Sequence, residues 1–143
     1  MQTLAVVPPV SAQALAAFRG ASQSIIERVV ARSLARTDEV VQHGDVAERL
    51  ITSGIRFTTQ MLDAAMAVGE VALLEDQLAW AMDRLPHDGV APEHILNRLR
   101  FYAEAVQELL PAEHAAEVLP FVNWMIARHG EMTQHGDAGA GQE

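Results

Sequence analysis

The chain has 143 residues, no cysteine, and a formal net charge of −9 at pH 7, and 50% of its residues are hydrophobic. This length is typical of one domain with its own core, and the lack of cysteine excludes disulfides, thiolate metal sites, thiol nucleophiles and thioether-linked chromophores. The acidic balance, with every basic residue an arginine, argues against nucleic-acid binding, which depends on neutralising phosphates.

The hydropathy pattern of the sequence bears on the cellular location of the protein. No uninterrupted apolar run of about 18 residues is present, so no membrane span is predicted. Residues 1–10 lack the basic start and the apolar stretch of a signal peptide. We therefore expect a cytoplasmic protein that does not associate with membranes.

The first third of the chain contains an arm and two helices. Consecutive prolines predict an extended arm over residues 1–10. A short helix is predicted over Ala12–Arg19, between a serine N-cap and a glycine that stops it. Apolar residues three and four apart predict a second helix over Ser22–Gln42.

The remainder predicts four more helices and a tail. Glycine and proline mark their ends. Pro120 lies inside the last helix and predicts a kink or a short break there. The polar, glycine-rich residues 130–143 predict a disordered tail. The four helices are predicted over Val46–Val68, Val71–Leu85, Pro92–Leu110 and Ala112–His129.

No segment shows the sustained two-residue alternation of a half-buried strand, so the predicted class is all-α. Five main helices of unequal length, with a short helix before them, favour a globin-like arrangement over a long coiled coil. Residues 11–129 are predicted to form that helical domain.

A family resemblance enters through the second half of the chain. A glycine turn leads into one helix, a Leu-Leu and Glu-Ala-Ala-Glu sequence opens the next, and an aromatic patch follows. This order resembles the C-terminal half of phycobiliproteins, the allophycocyanin-like globins of phycobilisomes, over roughly Gln42–Arg128. The residues that carry it are Gly89-Val90, Leu99, Glu104, Leu109-Leu110, Glu113, Ala115-Ala116-Glu117, Pro120-Phe121, Asn123-Trp124 and Ile126.

The departures from that family pattern concern its chromophore. The bilin-attaching cysteine is absent, and Arg49 lies near its place; Ile51-Thr52 lie near the place of the Arg-Asp that grips the pyrroles. The resemblance therefore implies a globin outside phycobilisomes, of the kind associated with bilin biosynthesis, and not a light-harvesting subunit. The non-haem globin sensor domain of bacterial stress signalling is a second relative with the same fold and no cofactor.

The resemblance implies a cofactor site between the helices Val46–Val68 and Val71–Leu85. A flat apolar tetrapyrrole needs aromatic or methionine walls and an arginine for its carboxylates. Core packing is the alternative for the wall residues, and an Arg56–Asp63 ion pair is the alternative for those two charges. The candidate residues are Arg49, Arg56, Phe57, Met61, Asp63, Trp80 and Tyr102.

Metal, haem and catalytic sites are not predicted. A globin haem needs a histidine inside the helix Val71–Leu85, which has none. His94 and His114 each follow a helix-opening proline and a glutamate, positions where an exposed side chain is the ordinary outcome. No zinc-protease or di-iron spacing and no nucleophile–base pair is present, so we expect no enzyme.

Two functions remain open at the level of sequence. The first is a non-enzymatic carrier or sensor that binds a biliverdin-type bilin non-covalently and meets proteins of bilin biosynthesis. The second is a cofactor-free regulatory or scaffolding globin that acts through a homodimer or a protein partner. The large apolar fraction is compatible with a ligand and with a homodimer interface.

Overall fold

The computed structural model describes residues 7–36, 40, 44–84 and 90–142. All regular structure in these ranges is helical, so the all-α prediction is confirmed. A single 3-10 turn, Gly44–Val46, precedes the second helix. The five α-helices are α1 (Ala12–Leu34), α2 (Ala47–Val68), α3 (Ala72–Arg84), α4 (Pro92–Leu109) and α5 (Ala112–Gln142).

Helix α1 is continuous where two helices were predicted, so the stop at Gly20 is wrong. Gly20 is exposed, and an added Cβ there would meet nothing within 4 Å. A glycine inside a helix costs only about 1 kcal/mol relative to alanine. Burial of Phe18 and Ile25 on either side of it outweighs that cost. The helix then ends at Leu34; the predicted end at Gln42 lies outside the described residues.

The predicted bounds of α2 and α4 and the predicted start of α3 are confirmed to within one residue, and the predicted end of α3 at Leu85 lies outside the described residues. Strong end signals explain this agreement. Gly69 has a φ of 70° and its N–H donates to the Ala65 carbonyl, a left-handed C-cap that glycine adopts without strain. Pro92 occupies the first turn of α4, where its missing N–H costs nothing.

Helix α5 continues through two predicted interruptions. It passes Pro120 without a break and extends beyond Gly130. His129 is buried and Met132 packs against the core, so the helix gains apolar contacts past the predicted boundary. Residues 130–133, which the sequence assigns to a tail, are helical in the structure.

Helix α1 packs against α2, α4 and α5, and α3 closes the structure by packing on α2 and α5. The core between them is continuous. Its largest fully buried side chains include members of every helix, namely Phe18, Ile25, Ile51, Leu62, Leu74, Tyr102 and Phe121.

Ion pairs join neighbouring helices at the surface. Arg128 on α5 makes a bidentate contact with Glu75 on α3, with Nε–Oε1 2.7 Å and Nη2–Oε2 2.9 Å. On the opposite side, Arg28 and Arg32 of α1 both reach Glu108 of α4. The pairs of Arg28 and Arg32 with Glu108 are partly solvated, so each contributes little stability. Arg128 and Glu75 are less exposed, with 22% and 23% of their side chains accessible, and their bidentate contact aligns α5 with α3.

The N-terminal segment is tied to distant parts of the chain. Residues 7–10 have no regular secondary structure, and Val7 and Val10 pack on the core. The Ser11 side chain caps α1 by accepting from the Ala14 N–H. Ser11 also donates from its N–H and its hydroxyl to the Glu117 carboxylate, at 2.7 and 3.0 Å. Residues 1–6 of the predicted arm lie outside the described residues.

Candidate functional site

A cleft of about 570 Å³ opens between α2, α3 and α4. Its walls are mostly apolar, with a few hydroxyl and amide groups and one arginine. The lining residues are Leu50, Ser53, Gly54, Ile55, Phe57, Thr58, Met61, Gln77, Leu78, Trp80, Ala81, Val90, Ile95, Arg98, Leu99, Tyr102 and Met125.

Two aromatic side chains from facing helices stand at the mouth of the cleft. The ring centroids of Phe57 and Trp80 are 6.2 Å apart and their planes are inclined by 52°. Trp80 keeps 54% of its surface exposed and Phe57 keeps 36%. Since large apolar side chains are ordinarily buried, this pair is an uncovered apolar edge suited to contact with a flat ligand.

The inner end of the cleft is closed by a hydrogen-bonded chain. Thr59 donates to the Ile55 carbonyl at 2.9 Å, and the Tyr102 hydroxyl lies 2.8 Å from the Thr59 hydroxyl. Because the Thr59 proton is engaged by the carbonyl, Tyr102 is the donor in that contact. Burial raises the pKa of Tyr102, so it stays a neutral donor and is no candidate for a base.

The structure brings four of the seven candidate residues together. Phe57 and Met61 of α2, Trp80 of α3 and Tyr102 of α4 all line the cleft. Tyr102 is fully buried, and the other three retain some exposure. The aromatic and methionine residues therefore form one surface.

The three charged candidates lie elsewhere. Arg49 is exposed and does not line the cleft. Arg56 lines a separate groove of about 310 Å³ between α1 and α2. Asp63 receives two hydrogen bonds from Arg19, at 2.8 and 2.9 Å, which corrects the alternative of an Arg56–Asp63 pair. The α2 helix points these groups away from the cleft.

The charged residue of the cleft is Arg98, which was not among the candidates. It lies on α4 with 6% of its surface exposed. A spacing signal was available, because Arg98 follows Ile95 by three residues and precedes Tyr102 by four, which places all three on the inward face of the helix. Arginine side chains are ordinarily solvated, so the sequence analysis did not expect an arginine on the inward face.

Two histidines are also buried contrary to expectation. His94 is 3% exposed, so the prediction of an exposed side chain in the first turn of α4 is wrong. His129 on α5 lies against the start of α4, with Nε2 3.0 Å from the Pro92 carbonyl. Among the residues that the structure describes, no three His, Asp or Glu side chains stand close enough together to hold a metal ion.

His129 should make the protein less stable in mild acid. Burial lowers its pKa, Arg100 adds to this, and the Pro92 carbonyl opposes it. The Nδ1 atom is buried without a hydrogen-bond partner in the described part of the chain, so its protonation adds an unsatisfied donor. The unfolded chain, with a histidine pKa of about 6.5, therefore takes the proton first as the pH falls. Stability is complete above this pH and decreases below it, by about 1.4 kcal/mol per unit of pKa difference.

Urea unfolding between pH 7.5 and 5 measures this dependence. His129→Gln keeps an amide donor for the carbonyl and should flatten the profile in that window. An identical slope in His129→Gln and the wild type would assign the acid sensitivity to other groups.

Neither a protein-family model nor a curated protein sequence matches this chain. Within the described residues, no helix combines the length and hydropathy needed to cross a bilayer. The proposed function therefore rests on the geometry of the cleft.

Proposed function

We propose that this protein is a cytoplasmic, non-enzymatic, phycobiliprotein-like globin that binds a linear tetrapyrrole non-covalently in the cleft. The observation that carries the proposal is the cleft itself, which is apolar, partly open and edged by Phe57 and Trp80. It lies between the helices α2 and α3, where the family resemblance of the sequence implies a bilin.

The size and chemistry of the cleft support a ligand of this kind. Its volume of about 570 Å³ lies within the range of roughly 300–1,000 Å³ that is typical of small-molecule sites. A few polar groups interrupt the apolar wall, among them Gln77 on α3 and Arg98 on α4. Such groups orient a ligand whose binding energy comes mainly from apolar contact.

The mode of binding follows from composition. The chain has no cysteine, so a thioether to the chromophore cannot form. The ligand is then held by packing, hydrogen bonds and charge alone, and its release is possible. A carrier that supplies or accepts bilins from proteins of bilin biosynthesis needs that reversibility.

The test is a titration of the purified full chain with biliverdin, followed by absorbance. Binding in a confined apolar cleft should shift and sharpen the visible band, and Trp80 fluorescence should be quenched in parallel. Arg49→Gln, a change at an exposed residue that does not line the cleft, is the control and should behave like the wild type. A spectrum identical to that of free biliverdin at every protein concentration would reject the proposal.

A second candidate function rests on the exposed apolar side chains. Val68 on α2 and Leu73 and Trp80 on α3 are between 40% and 66% exposed. In a cofactor-free regulatory or scaffolding globin, a second copy or a protein partner would cover this surface. Sedimentation velocity distinguishes the two functions, because the scaffold is a dimer without ligand and shows no bilin-dependent spectrum.

A further inference from the structure

We propose that the outer face of α3 docks a basic amphipathic helix of a partner protein. This face consists of Leu73, Asp76, Trp80 and Asp83, all of which are exposed. The inference goes beyond the proposed function, because the docking needs no ligand in the cleft.

The four residues of the outer face form one stripe along α3. They follow one another at intervals of three, four and three residues, so at 3.6 residues per turn they span an arc of about 80°. The buried side chains of α3, Leu74 and Leu78, belong to the core on the other side of the helix. Intervals of three and four are those at which one helix packs against another. The outer face therefore has the period of a helix–helix contact and is left uncovered by the described helices.

The apolar residues of the outer face extend beyond the cleft. Leu73 is 40% exposed and Trp80 is 54% exposed. Trp80 lines the cleft, whereas Leu73 does not. A small molecule in the cleft therefore leaves Leu73 in water, and a helix laid along α3 covers both side chains. Tryptophan covered in this way is among the residues that contribute most to binding at protein interfaces.

The acidic residues of the outer face supply charge for a basic partner. Asp76 and Asp83 are exposed, and within the described part of the chain neither belongs to an ion pair. Glu75, by contrast, is paired with Arg128. The single base of α3, Arg84, lies at the end of the helix and is engaged in a contact of its own. Lysine or arginine beside the apolar residues of a partner helix would complement both carboxylates.

Charge also distinguishes a basic partner from a second copy of this chain. The net charge is −9, so two copies repel each other, and pairing their α3 helices would bring Asp76 and Asp83 toward like charges. A basic partner is attracted at long range by the same net charge. The outer face of α3 therefore matches a basic helix better than it matches itself.

Two synthetic peptides test the docking, by fluorescence anisotropy of the labelled peptide titrated with the full chain. Each has about 18 residues, a length that favours a helix, with leucines along one side. The first carries lysines at the other positions and the second carries glutamates. The wild-type protein should bind the lysine peptide and not the glutamate peptide, with an affinity that decreases as salt is added. Equal binding of the two peptides, or no binding of the lysine peptide, overturns the proposal.

Charge variants locate the contact on the surface. Asp76→Asn combined with Asp83→Asn should weaken binding of the lysine peptide about two- to thirtyfold, the range for two exposed ion pairs. Glu93→Gln combined with Glu113→Gln is the matched control, because it removes two exposed carboxylates at the starts of α4 and α5 and changes the net charge equally. This control should keep the wild-type affinity. Equal losses in the two double variants would assign the binding to net charge alone and overturn the proposal.

Leu73→Ala separates this proposal from the proposed function. It should weaken binding of the lysine peptide about three- to tenfold, because it shortens an apolar contact, and leave biliverdin binding unchanged, because Leu73 does not line the cleft. Undiminished peptide binding in this variant overturns the docking, whatever the result with biliverdin. A wild-type dimer that Leu73→Ala dissociates in sedimentation velocity would assign the face to a second copy and overturn the basic partner. Circular dichroism establishes that each variant is folded.

Discussion

Phe18→Ala is expected to lower the free energy of unfolding by about 3–5 kcal/mol, the cost of removing a buried phenylalanine ring and leaving its cavity. Phe18 is 0% exposed and lies two residues before Gly20 in the long helix α1. The ring is one of the contacts that offset the glycine in that helix. A loss of this size is a large part of the stability of a small domain.

Urea unfolding measured by circular dichroism gives this difference, and Phe57→Ala is the matched control. Phe57 has the same side chain but is 36% exposed at the mouth of the cleft. Its removal should cost less stability than that of Phe18, since about a third of its surface is already exposed, and should weaken biliverdin binding. Equal destabilisation by the two substitutions would contradict the placement of Phe57 at the mouth.

Gly54→Leu is expected to close the cleft and weaken biliverdin binding by about ten- to a hundredfold, because overpacking a formed site costs about 1–3 kcal/mol. Gly54 lies inside α2 and lines the cleft. A Cβ at this position makes an ordinary contact 3.5 Å from Arg98 Nη1. The three further carbons of leucine then extend toward the guanidinium and into the space assigned to the ligand.

Gly54→Ala separates blockage from a change of the helix itself. Its Cβ fits, and alanine in place of glycine should stabilise α2 by about 0.5–1 kcal/mol while affinity changes little. Gly20→Leu places the same leucine on α1, where nothing lies within 4 Å, and should leave binding intact. Full affinity in a folded Gly54→Leu variant would locate the ligand outside the cleft.

The ends of α2, α3 and α4 could be predicted because each has a residue with a strong local preference. Gly69 adopts the left-handed conformation that ends α2, and Pro92 fixes the first turn of α4. Gly20 is also a glycine, but it does not adopt the left-handed conformation. A glycine ends a helix only where its backbone adopts the left-handed conformation, and the sequence alone does not show which glycines do so.

The inward face of α2 was harder to predict because the helix has two apolar faces. Leu50 and Phe57 lie on one of these faces, which borders the cleft, and both are partly exposed. The buried face carries Ile51, Ile55 and Leu62, one residue out of phase with it. Periodicity gives the angle between apolar positions, but it does not state which face meets the core and which meets a cleft.

The apolar and aromatic wall residues of the site were predicted from the sequence, but its charged residue was not. Aromatic and methionine side chains mark a wall by their size, and four of them lie together in the structure. For the charge, Arg49 was chosen because it lies near the expected attachment point, and Arg56 because it lies one residue from Phe57 on the same helix. Arg98 is distant in sequence and reaches the cleft from α4, so tertiary packing decides its role.

The contact between Ser11 and Glu117 joins residues far apart in the sequence, and this has a consequence for folding during synthesis on the ribosome. Helix α1 packs on α2, α4 and α5, and the last two are made much later than α1; Ser11 is separated from its carboxylate by 106 positions. Translation at about 5–20 residues per second leaves the part of α1 that packs on α4 and α5 uncovered for several seconds. During that interval the nascent chain presents Phe18 and Ile25 to chaperones and to other nascent chains.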